Sequence, residues 1–155
     1  MKQPLPVPVR VAGVFEAETE ELGRAPFVLL EDEAARRLPI QIGPCEAVAI
    51  SIALESAPVE RPLSHDLMNQ VLSALGGKLQ SVLVDDFSDR VFYAKLRIER
   101  GGEALEVDAR PSDAIALALR AEAPIFVNDE VLSAGSISPD EPPEGTESAA
   151  PEEDE

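Results

Sequence analysis

The chain has 155 residues, 45% of them hydrophobic and 4% aromatic, with 30 acidic against 13 basic side chains and a net charge of −17. That length suits one domain with a sizeable core, and no apolar run approaches the roughly 18 residues a membrane span needs. Prolines interrupt the apolar segment a signal peptide would require in MKQPLPVPVRVAG, and a single cysteine, Cys45, leaves no disulfide framework or Cys-rich metal site; a cytoplasmic protein is expected.

Residues Val7 to Val14 alternate loosely and read as a first strand, Pro26 to Glu31 as a second, and Arg37 to Ile42 as a third with Leu38, Ile40 and Ile42 on one face. Gly43-Pro44 opens a helix that runs to about Glu55 and is expected to be mostly buried, with Glu46 in its first turn. Ser64 is expected to cap a second helix, stapled by Leu63 and Met68 and facing the core through Leu67, Val71, Leu72 and Leu75, until Gly76-Gly77 stops it. Leu79 to Val84, Val91 to Glu99 and Glu103 to Arg110 then read as a three-stranded antiparallel meander. Asp86 to Asp89 and Gly101-Gly102 supply its two turns, and Leu105, Val107 and Ala109 are placed toward the core.

Pro111-Ser112-Asp113 starts an Ala-rich helix, Pro124 to Val127 is a short strand, and Asn128 caps a brief last helix through Leu132. The expected fold is α+β, with mixed or antiparallel sheets, three to four helices and a possible internal βββα duplication. One domain is placed at residues 1–133. The stretch 134–155, rich in Pro, Ser, Gly and acids, reads as a disordered tail because it cannot offset its ordering entropy by burial. Ten acids and no Lys or Arg follow Asn128, so the rest of the chain still carries −7 of the −17. Such a surface repels a phosphate backbone, which disfavours DNA or RNA as a partner on charge alone.

The chemistry-bearing groups sit at element ends. Asp108 and Arg110 share one strand face, and Asp113 follows one helical turn on. Two carboxylates and a guanidinium beside a helix N-terminus suit a divalent metal and a phosphate; on spacing alone, Ser112 and Asp113 as caps and Arg110 paired with Asp108 is the favoured reading. His65 is the only histidine, so any imidazole base must be this one, with Asp66 beside it; the alternative is an ordinary first-turn residue with Asp66 stabilising the helix dipole. Glu46 has the same alternative, and Cys45 reads as a packed side chain. No Gly-rich phosphate loop, zinc spacing or nucleophile elbow occurs.

Three long stretches, LPIQIGPCEAVAISIALE (Leu38 to Glu55), RPLSHDLM (Arg61 to Met68) and VDARPSDAIALALRAEAPIFV (Val107 to Val127), closely resemble the bifunctional nuclease domain, in order, from about Val9 to Leu132. The resemblance implies a divalent-metal-dependent nuclease acting on DNA and RNA. The matching polar positions are Glu46, His65, Asp66, Asp108, Arg110, Ser112 and Asp113. In that reading Asp108 and Asp113, with Glu46, hold Mg²⁺ or Mn²⁺. Arg110 neutralises the phosphate, His65 oriented by Asp66 acts as base or acid, and Ser112 is counted with them as a catalytic residue. The competing reading is a non-catalytic module that binds a protein or a small anion. The Ala-rich helix and short edge strands point to self-association as a homodimer.

Overall fold

The computed structural model describes residues 5–21 and 23–137. Seven strands, β1 (Pro6–Thr19), β2 (Gly23–Asp32), β3 (Arg37–Gln41), β4 (Gly77–Ser88), β5 (Val91–Arg100), β6 (Glu103–Ala109) and β7 (Ile125–Asn128), make one mixed sheet in the order β3-β2-β1-β7-β4-β5-β6. Among the described residues four helices accompany these seven strands: α1 (Pro44–Glu55), α2 (Ser64–Ala74), α3 (Pro111–Ala121) and α4 (Asp129–Gly135). β7 runs antiparallel to β1 and parallel to β4, and so joins two antiparallel meanders at the centre of the sheet. This is the expected α+β class. Each meander leads into a helix with proline at its start, α1 and α3. That repetition is one of element order; it does not establish the expected duplication.

The Ala-rich sequence of α3 explains its position. Ala114, Ala116 and Ala118 are fully buried, and their small side chains let α3 lie close against β4 and β5 with α1 and α2 on its flanks. The main core gathers Val28, Leu30, Leu38, Ile50, Val82, Val84, Ile115, Val127 and Leu132. Phe27 and Leu29 point to the opposite face of β2, where they pack with Ala17, so this strand is covered on both sides.

Bulges account for the imperfect strand alternation. Gln80 is the extra residue between the pairs Leu79↔Ile98 and Ser81↔Arg97, which moves Leu79 onto the same buried side as Val82 and Val84, not the side of Ser81 and Leu83. Ala12 does the same in β1. β4 continues to Ser88, so the β4–β5 hairpin turns on Asp89-Arg90 rather than on Asp86 to Asp89.

Three expectations about burial change. α2 is rotated so that His65 is its buried residue, while Leu67, Val71 and Leu75 are exposed. Its polar residues set that orientation, because His65, Asp66 and Asn69 all bond to α3. Ser64 is the first residue of α2, and Leu63 is the cap: its amide donates to Asp66 Oδ2 at 3.0 Å. The Leu63–Met68 staple does not form a covered contact, since both are exposed. α1 buries only Ala49 and Ile50 and leaves Val48 exposed, and Cys45 in its first turn is exposed too and not the packed side chain expected. Leu105 and Val107 are exposed because β6 is the sheet edge and no helix among the described residues covers them.

α4 extends past Leu132 to Gly135, and Ile137 bridges back to Arg37. The rest of the expected acidic tail, residues 138–155, lies outside the described residues. Among the described residues no helix is long and apolar enough to cross a membrane.

Candidate functional site

Two local features build the site. At the start of α1, Gly43 takes an extended conformation, and a Cβ there would overlap Glu46 Oε2, so glycine leaves room for the Glu46 carboxylate to fold back over the cap. At the start of α3, Arg110 is the extended cap residue, Pro111 fixes the first helical position and Asp113 stands in the first turn. Neither helix has a side-chain cap on its N-terminus.

α1, α2 and α3 bring four of these side chains into one chain of bonds. Glu46 Oε1 accepts from Arg110 Nη2 at 2.9 Å, and Arg110 Nε donates to Asp113 Oδ2 at 2.9 Å. The other oxygen, Asp113 Oδ1, accepts from His65 Nε2 at 2.9 Å. Burial works against the charge on Asp113, but the hydrogen bonds from Arg110 and His65 outweigh it and hold its carboxyl below the ordinary value. Arg110 is correspondingly held above its ordinary value by its bonds to Asp113 and Glu46. An ionised Asp113 only accepts, so Nε2 of His65 carries the proton and Nδ1 is the lone-pair nitrogen of the neutral ring. Nδ1 has no protein partner among the described residues. This places the imidazole in the tautomer a general base needs.

The remaining candidates lie elsewhere. Asp66 is turned away from His65's ring partner and accepts from Arg120 Nε at 2.8 Å, while Arg120 also donates to the carbonyls of Ala116 and Ala49. Burial opposes ionisation of Asp66, and its bonds from the Leu63 amide and Arg120 win, lowering its pKa. The pair ties α1, α2 and α3 together. Asp108 is exposed on β6, opposite Lys95 in the strand ladder, and Lys95 is paired with Asp85. Ser112 is buried in the first turn of α3 and lines a neighbouring cleft. Arg120 is a further residue of this region that carries a sequence signal: beyond the first turn of α3 it is the one charged side chain in an apolar run, and such a residue demands a partner.

Glu46, Asp113 and Asp108 do not fit a divalent cation as they stand. The Arg110 guanidinium fills the place between Glu46 and Asp113, and Asp108 faces Lys95. Among the described residues no three His, Cys, Asp or Glu side chains are grouped to hold one ion. A metal entering between Glu46 and Asp113 has to displace Arg110.

The cleft lies where the ends of β2 and β3 face those of β5 and β6, with a volume of about 640 Å³. It is lined by Arg24, Gln41, Arg90, Arg110 and Ser112 together with apolar side chains.

Residues 28–140 match the bifunctional nuclease domain family. The chain belongs to this family. An uncharacterized protein of Mycobacterium tuberculosis is 40% identical over 148 residues, covering 94% of this chain and 87% of its own length. Bifunctional nuclease 1 of Arabidopsis thaliana is 28% identical over 120 residues, 70% of this chain but 37% of the plant protein. Bifunctional nuclease 2 of Oryza sativa subsp. japonica is 26% identical over 116 residues, 73% of this chain and 36% of its own. The match begins inside β2, so all of the site residues from Glu46 to Asp113 fall within it.

Proposed function

We propose that this chain hydrolyses phosphodiester bonds of nucleic acid, with His65 as the proton acceptor and Arg110 as the phosphate ligand. The observation that carries the reading is the His65 Nε2–Asp113 Oδ1 bond of 2.9 Å, with Arg110 on the other Asp113 oxygen. Asp113 orients the ring and stabilises the imidazolium that forms when Nδ1 takes a proton. A water oxygen attacks phosphorus, its proton passes to Nδ1, and the bond to the leaving alkoxide breaks. The imidazolium then returns the proton to that alkoxide. Arg110, exposed for 65% of its side chain, offsets the charge that develops on the phosphoryl oxygens. Glu46 fixes the direction of its guanidinium.

The substrate reading rests on the family relationship and on the chemistry of this cluster. A net charge of −17 works against long duplexes, so short single strands are the substrates expected to react first. The test uses a fluorescently labelled RNA oligonucleotide and a plasmid, each with Mn²⁺, with Mg²⁺ and with EDTA. His65→Ala and Asp113→Asn are each expected to slow cleavage about 100-fold or more, the usual worth of a positioned base. Cleavage that is equal in wild type and both variants comes from a contaminating enzyme and leaves the non-catalytic module as the reading. The expected homodimer is tested alongside by light scattering, against a chain mass of 16.6 kDa.

A further inference from the structure

The cleft beside this cluster has features the hydrolysis reading does not use. Its basic residues come from three places: Arg24 at the start of β2, Arg90 in the β4–β5 turn and Arg110 at the start of α3. No Asp or Glu is among the described residues that line it, in a chain with 30 acids. The N-terminal ends of α1 and α3 both border it, through Gly43-Pro44 and Pro111-Ser112.

The three arginines are not equally engaged. Arg110 is held by Glu46 and Asp113 at 2.9 Å each, and Arg24 lies a longer 3.4 Å from the exposed Glu16. Arg90 makes no side-chain hydrogen bond or ion pair among the described residues. Its backbone is the independent sign of a role. Asp89 and Arg90 have φ of 52° and 64°, the left-handed region that two-residue hairpins need and that favours glycine. The β5–β6 hairpin meets the same requirement with Gly101 and Gly102, at φ of 58° and 82°. An arginine kept in this conformation, unpaired, at the rim of a cleft is a cost to the fold that a ligand contact explains.

The cleft is also too large for phosphate alone, and its other wall is apolar. Ile40, Ile42, Val91 and Phe92 line it, with Phe92 stacked on Phe87 at a centroid distance of 4.2 Å. An anionic end beside an apolar body is the pattern of a mononucleotide. We propose that this cleft binds a nucleoside monophosphate, free or as the phosphorylated end of a short strand, with Arg90 and Arg24 on the phosphate and the base against Phe92. This deepens the phosphodiester reading, since Arg110 belongs to both sites.

The experiment is calorimetric titration of the full chain with adenosine monophosphate, adenosine and inorganic phosphate. A monoester lacks the bond that the proposed hydrolysis breaks, so binding is read without turnover. Adenosine monophosphate is expected to bind at least tenfold more tightly than either fragment, since a charge-assisted bond and an apolar contact each add about a factor of ten. Arg90→Gly is expected to weaken it about tenfold or more without lowering the melting temperature, because glycine suits the turn. The two failures are distinguishable in the unmodified chain: nucleotide binding with no cleavage of the labelled oligonucleotide sinks only the hydrolysis mechanism, and cleavage with no nucleotide binding sinks only this proposal. No binding to wild type, equal binding by Arg90→Gly, or phosphate binding as tightly as the nucleotide each overturns the proposal. An oligonucleotide bearing a 5′-phosphate, compared with the same strand without it, distinguishes a strand end from the free nucleotide.

Discussion

Arg110 and Arg120 sit at opposite ends of α3 and make the same kind of bond to an aspartate, at 2.9 and 2.8 Å. Their surroundings differ. Arg120 keeps only 9% of its side chain exposed and donates to Asp66 and to two backbone carbonyls, one on α1. Arg110 keeps 65% exposed and borders the cleft. The difference teaches that an arginine–carboxylate pair carries no meaning by itself: solvent access decides whether it fastens helices or stays free to meet a ligand.

The largest expected effect breaks the buried member. Arg120→Ala strands a partly buried Asp66 and the carbonyls of Ala49 and Ala116, which is expected to cost about 3 kcal/mol and lower the melting temperature by roughly 9 °C. Arg110→Ala is expected to cost under about 1 kcal/mol, since an exposed pair is weak, in a urea titration of the same chain. Gly43→Ala is smaller again, about 0.5 kcal/mol, and acts by pushing Glu46 off Arg110, so it is expected to slow cleavage less than Arg110→Ala does.

Acid sharpens the comparison without a mutation. Asp66 and Asp113 both lie below the 3.8 of a free aspartate. Their stabilisation is therefore complete above pH 3.8 and is lost as pH falls through their lower folded values, where the unfolded chain has already taken up its protons. The fall in melting temperature below pH 3.8 is expected to be shallower in Asp66→Asn than in wild type, because one of these two groups no longer titrates.

Much of this was legible in the sequence. The α+β class, the second meander and every helix start within a residue or two follow from Gly, Pro and apolar spacing, and the stretches around Glu46, His65 and Asp113 do meet in space. The orientation of α2 was not legible. Its apolar residues suggested that Leu67, Val71 and Leu75 face inward, but three polar bonds to α3 turn His65 in and those residues out. Period alone cannot weigh a long-range ion pair against a hydrophobic stripe. The partner swap between His65 and the two aspartates is of the same kind: Asp66 is adjacent in sequence, yet Arg120 claims it and Asp113 reaches the ring from 48 positions away. Arg90 had no signal, because nothing local marks a turn that uses arginine where glycine fits better.

The most direct measurement is cleavage of the labelled RNA oligonucleotide by Arg110→Gln and Arg120→Gln, with melting temperatures taken on the same preparations. The expected result is a crossed pattern: Arg110→Gln melts within about 3 °C of wild type and loses cleavage about 100-fold, while Arg120→Gln melts far lower and, below its melting point, still cleaves. Full cleavage by a well-folded Arg110→Gln would contradict the account.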